Sequence, residues 1–344
     1  TGVQTCALPI SEEVEWARSK VAETIGADPR EIVWTSGATE SDNLAIRGLL
    51  EAMTESTGRN TIITMETEHK AVLDTCAHLR NAEVIYLKPE VNGQLRLDSL
   101  AEVLDETALL VSVMLVNNET GVVQPIPDIA KMAHQAGALV HSDLAQSVGK
   151  LPWTVDSLGI DLGSLSAHKI HGPKGIGALY VRRGSCRVAE QQHGGQHERG
   201  MRSGTLPTHQ IVGMGEAYRI AKTESEIEIE RLNQFRDRIE LAIRELGGIR
   251  CNGVRGVPHI LNITVDKVDA ERLMAAMPQI AVSTGSACNS ATIEPSHVLH
   301  SMGLSRHEGL SSLRISLGRM TTSDEVSILI ETLTNAVSQL RSAA

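Results

Sequence analysis

Residues 162–181 read L-G-S-L-S-A-H-K-I-H-G-P-K-G-I-G-A-L-Y-V. The apolar runs Leu162–Leu165 and Ala178–Val181 are strand-sized, and the stretch between them is small, hydroxyl-bearing, basic and glycine-rich. Lys169 thus lies between a buried strand and a glycine turn, where desolvation lowers an amine's pKa and makes bonding to a carbonyl feasible. Lys174 is five residues further on, and a plain pair of surface lysines is the commoner outcome for such a loop.

Working outward, the same grammar repeats. Ser11 can cap a helix whose stripe is Val14, Ala17, Val21, Ala22 and Ile25, ended by Gly26. Strands are expected at Ile32–Thr35, Thr61–Met65, Glu83–Leu87, Leu109–Val116 and Ala138–His141. Helical patterns fall between many of them, at Asn43–Met53, Ala71–Leu79, Leu97–Leu104 and Ile126–Gln135. Strand–helix alternation over this distance predicts an α/β fold with a mostly parallel sheet covered on both faces. Past Leu206 the texture changes to a long helical stretch reaching Leu246. Strand His259–Val265, helix Ala270–Met277, strand Ile280–Ser283, strand Leu313–Leu317 and helix Asp324–Leu340 follow. The division expected is a large domain over residues 11–225 and a smaller α+β domain over 226–344.

Composition narrows the function. Of 344 residues 41% are apolar, but only three Trp, three Tyr and one Phe are present, so the core is aliphatic and aromatic platforms for single-stranded nucleic acid are not expected. A net charge of −10 argues against a general phosphate-backbone binder. Five cysteines make no disulfide framework, which points to a reducing compartment, and the longest apolar stretch, Ala108–Val116, is far too short to span a membrane.

Several motifs carry chemistry together. Ser36-Gly37-Ala38-Thr39, between a strand and a helix, offers backbone N–H groups and a helix dipole to an anion, although a plain tight turn with Thr39 or Ser41 as N-cap is the commoner outcome for such a motif. His69, Asn118, Asp143 and Gln146 follow apparent strands, and open parallel sheets bind ligands beyond the carboxyl ends of their strands. Ser283–Thr292 holds no large apolar side chain, so it is expected to be mobile and to expose Cys288 as a candidate nucleophile. Cys76, Cys186 and Cys251 lack that setting. His193/His197 and Cys76/His78 have no accompanying ligands, and no metal site is expected.

Taken in order, the strings T-S-G-A-T-E-S-D-N (35–43), E-H-K-A-V-L-D-T-C (68–76), V-N-N-E-T-G (116–121), Q-S-V-G-K (146–150), H-K-I-H-G-P-K-G (168–175), H-E-R-G-M-R-S-G-T (197–205) and G-S-A-C (285–288) resemble the pyridoxal-phosphate cysteine desulfurases of the housekeeping iron–sulfur group, class V aminotransferase-like. The resemblance implies a type I PLP-dependent aminotransferase fold, a homodimer and a cytoplasmic enzyme. The activity implied turns L-cysteine into L-alanine with a persulfide on Cys288, supplying sulfur for iron–sulfur cluster assembly and tRNA thiolation through a scaffold or other acceptor protein. By the same resemblance Lys169, not Lys174, bonds the cofactor aldehyde, and His69 stacks on the ring and handles protons. Asp143 partners the ring nitrogen, Gln146 donates to the phenolic oxygen, and Asn118 lies near that oxygen and the substrate carboxylate. Ala38, Thr39, Ser166 and His168 belong to the cofactor site with the phosphate, Thr205 reaches the phosphate of the other subunit, and Arg314 clamps the substrate carboxylate.

Three departures accompany it. Residues 1–10, T-G-V-Q-T-C-A-L-P-I, lead into no periodic pattern and resemble a translated sequencing adaptor joined to a truncated frame, so a missing N-terminal stretch is expected and Cys6 is set aside. Gln196 stands where a third glycine is usual, and Ser142 and Leu144 differ beside Asp143; both changes are expected to be tolerated. Two other readings stay open at this point. One is a related aminotransferase or selenocysteine lyase, which has no need of Cys288. The other is a non-catalytic sulfur-relay or scaffold-binding protein.

Overall fold

The computed structural model describes residues 2–284 and 295–342, with side chains from residue 10 onward. Its contacts divide the chain into two units. The first holds Thr1–Leu87, Leu95–Val116 and Gln124–Ser225, and the second holds Lys88–Gln94, Asn117–Val123 and Glu226–Ala344.

The first unit opens with α1 (Gly2–Ile25), whose backbone is helical straight through the opening residues, so these continue the striped helix rather than stand apart from it. Strands β1 (Ile32–Thr35), β2 (Thr61–Met65), β3 (Glu83–Leu87), β4 (Ala108–Ser112), β5 (Leu139–Asp143), β6 (Leu162–Ser166) and β7 (Gly177–Val181) form one seven-stranded sheet in the order β1-β7-β6-β5-β4-β2-β3. The helices between them are α2 (Ala38–Thr57), α3 (Lys70–Ala77), α4 (Leu97–Val103), α5 (Ile126–Gln135) and α6 (Val155–Leu158). Pairs β2–β3, β2–β4, β4–β5 and β5–β6 are parallel; β7 alone runs against its neighbours. β1, β2, β4, β6 and β7 are buried along their whole length, which is why they read as unbroken apolar or small runs rather than as alternation. The α2 face carrying Leu44, Ala45, Ile46, Leu49 and Leu50 closes one side of this core against Val33, Ile62, Leu110, Leu162 and Leu179.

The register decides where functional groups gather. Gly177 at the start of β7 is opposite both Thr35 at the end of β1 and Ser166 at the end of β6, and Asp143 at the end of β5 is opposite Ser164. One edge of the sheet therefore collects the carboxyl ends of β1, β2, β5 and β6 and the turns that follow them.

The long helix α7 (Thr208–Leu246) begins in the first unit and ends in the second. The second unit has a three-stranded antiparallel sheet, β10-β9-β8, from β8 (Ile249–Cys251), β9 (Ile260–Val265) and β10 (Ser312–Ser316). With them come α8 (Ala270–Ala276), α9 (His297–Ser301), α10 (Arg306–Leu310) and α11 (Ser323–Ser342). Leu232, Phe235, Ile239, Ile263, Leu273, Leu313, Leu329 and Leu333 make its core. The strand expected at Ile280–Ser283 does not form; only Ser283 makes a bridge, to Arg314. β8 has no apolar run to announce it, since Arg250 and Cys251 are exposed.

A buried ion pair ties α1 to this frame. Arg18 grips Glu198 with two N–H groups at 2.7 and 2.9 Å, donates to the Ile32 carbonyl at 2.8 Å and lies over the Trp34 ring at 5.3 Å. Glu198 also accepts the Trp34 N–H at 2.9 Å. Removing one partner of a buried pair strands the other charge, so Arg18→Ala is expected to lower stability by about 3–5 kcal/mol in urea unfolding. A loss within experimental error would show that the pair does not hold α1 in place.

Candidate active site

The turn between β1 and α2 forms a cradle. Gly37 caps α2 without a side-chain hydrogen bond, so the first N–H groups of a 20-residue helix keep no internal acceptor. A Cβ placed on Gly37 would meet open space, whereas one on Gly177 would sit 2.4 Å from the Leu165 carbonyl oxygen and 2.6 Å from Gly37 Cα. Glycine at 177 is what lets β6, β7 and the turn close together. The Glu40 carboxylate folds back onto the Ser36 N–H at 2.7 Å and accepts from Arg202 Nε at 2.8 Å. Burial works to raise the Glu40 pKa, but Arg202 and Ser36 outweigh it and hold the carboxyl below its usual range.

The predicted phosphate residues stand around this edge. Thr39 is exposed and Ala38 half-buried in the first turn of α2. Ser166 ends β6, with its hydroxyl 2.8 Å from His168 Nδ1. Burial lowers the His168 pKa, helped by the charges of Lys169 and Lys174, so a neutral ring is favoured there. Thr205 is exposed, on the segment that follows Arg202.

Asp143, the last residue of β5, is 8% exposed and uses one oxygen to accept the Ala145 N–H at 2.8 Å. Burial raises its pKa, while the Ala145 N–H and the charges of His69 and Lys169 pull it back. Those two side chains are therefore within electrostatic reach of Asp143. His69 caps α3 by accepting the Ala71 N–H on Nδ1 at 3.1 Å, which leaves Nε2 as the ring nitrogen open to a ligand. Lys169 lies in the short helical turn His168–Ile170 directly after β6 and is exposed in the chain, not desolvated as the sequence suggests. Gln146 is half-buried on the turn after Asp143.

These residues fit pyridoxal phosphate. The glycine cradle and uncapped helix suit a phosphate, a buried carboxyl suits a protonated ring nitrogen, and a primary amine stands between them in sequence on the same sheet edge.

Two predicted residues belong to the second unit. Arg314 on β10 donates from Nη1 to the Asn118 carbonyl at 3.0 Å, while its Nε is buried with no partner among the described residues, and a guanidinium so placed suits a carboxylate. Asn118 itself is half-buried, six residues past β4 rather than at the strand end. Cys288 falls outside the described residues. On its two sides, Ser283 exchanges backbone hydrogen bonds with Arg314, and Ser296 donates from its hydroxyl to Glu119. Two of the other cysteines whose side chains are described are poor nucleophiles, since burial pushes the Cys76 thiol up to about 12 and the Cys186 thiol to about 11; Cys251 is exposed on β8, and partial desolvation of its thiol raises its pKa as well. No group of three metal-ligating side chains occurs among the described residues.

Sequence reading missed what supports the site. Gln196 has φ 54, Glu198 φ 49 and Arg199 φ 59, so Gln196 adopts the left-handed backbone that explains a glycine preference there, at a cost of about 1 kcal/mol. The segment is held in spite of this by Arg18–Glu198, Arg199–Ile32 and Arg202–Glu40. Behind Asp143, the wholly buried residues Asp42, Ser112, His141 and Ser164 form a polar row. A groove of about 740 Å³ lined by Arg47, Glu51, His78 and Arg80 lies toward the other end of α2 and includes none of the predicted residues.

Desolvation pushes the His141 pKa from 6.5 down to about 3. The folded chain then keeps this ring neutral while the unfolded chain protonates it, so stability falls as pH drops from 6.5 toward 3, by about 1.4 kcal/mol per unit. His141→Asn is expected to be less stable at neutral pH yet to lose stability less steeply below pH 6.5. Urea titrations along that range measure both slopes; equal slopes would contradict a neutral buried ring.

A family model described as Aminotransferase class-V matches residues 1–329. The cysteine desulfurase IscS of Klebsiella pneumoniae (strain 342) is 52% identical over 335 residues, which cover 96% of this chain and 82% of that relative. A solved structure described as a NifS-like protein superposes with a TM-score of 0.89 at 33% identity, covering 97% of this chain and 89% of that one. Another, SspA in complex with cysteine, gives 0.77 at 37% identity over 90% of this chain and 88% of its own.

Proposed function

The chain belongs to the pyridoxal-phosphate cysteine desulfurases of the class-V aminotransferase family, and on that premise we propose that it moves sulfur from L-cysteine to Cys288 and on to an iron–sulfur scaffold or other acceptor protein. The observation that carries the reading is the meeting of a glycine cradle, the buried Asp143 and the amine of Lys169 on one sheet edge of a chain 52% identical to a cysteine desulfurase. The structural relative holding cysteine supports the same substrate.

Each residue has a task. The amide groups of Ala38 and Thr39, with Ser166 and His168, bind the cofactor phosphate, and Thr205 of a second copy completes that site in a homodimer. Lys169 holds the aldehyde. Asp143 keeps a proton on the ring nitrogen, and Gln146 and Asn118 donate toward the oxygen side of the ring. His69 covers the ring and moves protons through Nε2. Bound, pyridoxal phosphate supplies an electron sink for the charge left when the substrate gives up its α-proton.

Arg314 holds the substrate carboxylate with its open donors. The Cys288 thiolate then attacks the substrate sulfur. The new sulfur–sulfur bond forms as the carbon–sulfur bond breaks, the three-carbon remainder takes one proton at its β-carbon and one back at its α-carbon and leaves as L-alanine, and the enzyme keeps the sulfur as a persulfide. Work in the cytoplasm follows from the role. Among the described residues no helix is long and apolar enough to cross a membrane.

Two variants test the assignment. Lys169→Ala is expected to give a colourless protein with no alanine production. Cys288→Ala is expected to keep the cofactor absorbance while losing persulfide formation by at least about a hundredfold. Full desulfurase activity in Cys288→Ala would remove Cys288 from the mechanism and favour selenocysteine-lyase-like chemistry that needs no thiol.

A further inference from the structure

The polar row behind the sheet edge has no task in the reaction described so far. Thr64 on β2 donates to the Ser112 carbonyl on β4 at 2.8 Å, and the Ser112 hydroxyl lies 2.8 Å from His141 Nδ1 on β5. His141 Nε2 is 3.0 Å from the Ser164 hydroxyl on β6 and 3.6 Å from Asp42 Oδ1 on α2. All five residues are without solvent exposure, and neither Asp42 oxygen meets a donor at full hydrogen-bond geometry.

What faces Asp42 decides its charge. Asp143 on β5 and Glu68 after β2 are two more buried carboxyls within electrostatic reach. Against them stands His141, set between two hydroxyls, and no lysine or arginine pairs with Asp42 among the described residues. A charged imidazolium–carboxylate contact closes to about 2.7–2.9 Å, and 3.6 Å is too long for one. An anion here would be buried, with the Ser164 hydroxyl as its support and no cation, and beside Asp143, whose own charge holds the proton of the cofactor ring.

We propose that Asp42 is a positioning residue kept as a neutral acid: its carboxyl proton points to the His141–Ser164 pair and locks β5 and β6, the strands that end in Asp143 and Ser166, without placing a second negative charge behind Asp143. The proposal rests on the reading of Asp143 as the ring-nitrogen partner. It predicts that hydrogen bonding at position 42 matters and that charge there does not.

Infrared difference spectroscopy of the purified full chain against Asp42→Asn reads the proton directly. The expected difference is loss of a protonated-carboxyl carbonyl band; loss of an ionised-carboxylate band instead would overturn the proposal. With pyridoxal phosphate bound, Asp42→Asn keeps a donor and no charge, so the pH midpoint of the visible absorbance stays where it is. Asp42→Leu removes the donor and weakens cofactor binding about tenfold. A midpoint shifted by about one unit in Asp42→Asn means a charge was removed, and parent-like cofactor affinity in Asp42→Leu means no positioning role. Either result overturns the proposal. Absence of visible absorbance in the parent would count against the cofactor reading instead, and the infrared band would still decide the state of Asp42.

Discussion

A carboxylate at the end of a buried strand is the constraint around which the first unit is arranged. Asp143 is nearly out of solvent, and burial alone favours its neutral form. It can serve a protonated ring nitrogen only if its surroundings supply positive charge and withhold further negative charge. Lys169 supplies the first, and it and His69 come from turns that parallel strands deliver to the same edge. The neutral Asp42–His141 row supplies the second. The sheet topology and the electrostatics of the site are thus one problem with one solution.

The turn between β1 and α2 follows a complementary rule. There the chain concentrates unpaired N–H groups and removes side-chain bulk, with Gly37 and Gly177 in mutual contact. The Arg202–Glu40 and Arg18–Glu198 pairs anchor the strained 196–202 segment to this cradle and to β1. The segment that leads to Thr205 is therefore referenced to its own chain's β1–α2 turn.

Much of this was legible in the sequence. β1, β2 and β3 match the expected residues, because buried or half-buried strands of a parallel sheet stand out as short apolar runs between turn signals. What stayed hidden has physical reasons. β8 is an exposed edge of three residues, and Ile280–Ser283 finds a pairing partner only at its last residue. Asp42, in a string of polar residues opening α2, looks like solvated surface until the helix turns it into the sheet. The row Thr64–Ser112–His141–Ser164 exists only across strands, and no local pattern records a cross-strand neighbour. Asn118 and Arg314 are nearly two hundred residues apart in sequence and share one hydrogen bond. The substrate-binding role proposed for both was readable by resemblance alone.

The central claim is that sulfur leaves L-cysteine for one particular thiol. Incubating the purified, cofactor-loaded chain with L-cysteine and mapping added sulfur by peptide mass spectrometry tests it directly. The account predicts one extra sulfur atom on the peptide containing Cys288, formed together with L-alanine. Alanine production with no sulfur ever found on Cys288, or sulfur found on Cys76, Cys186 or Cys251 instead, would contradict it.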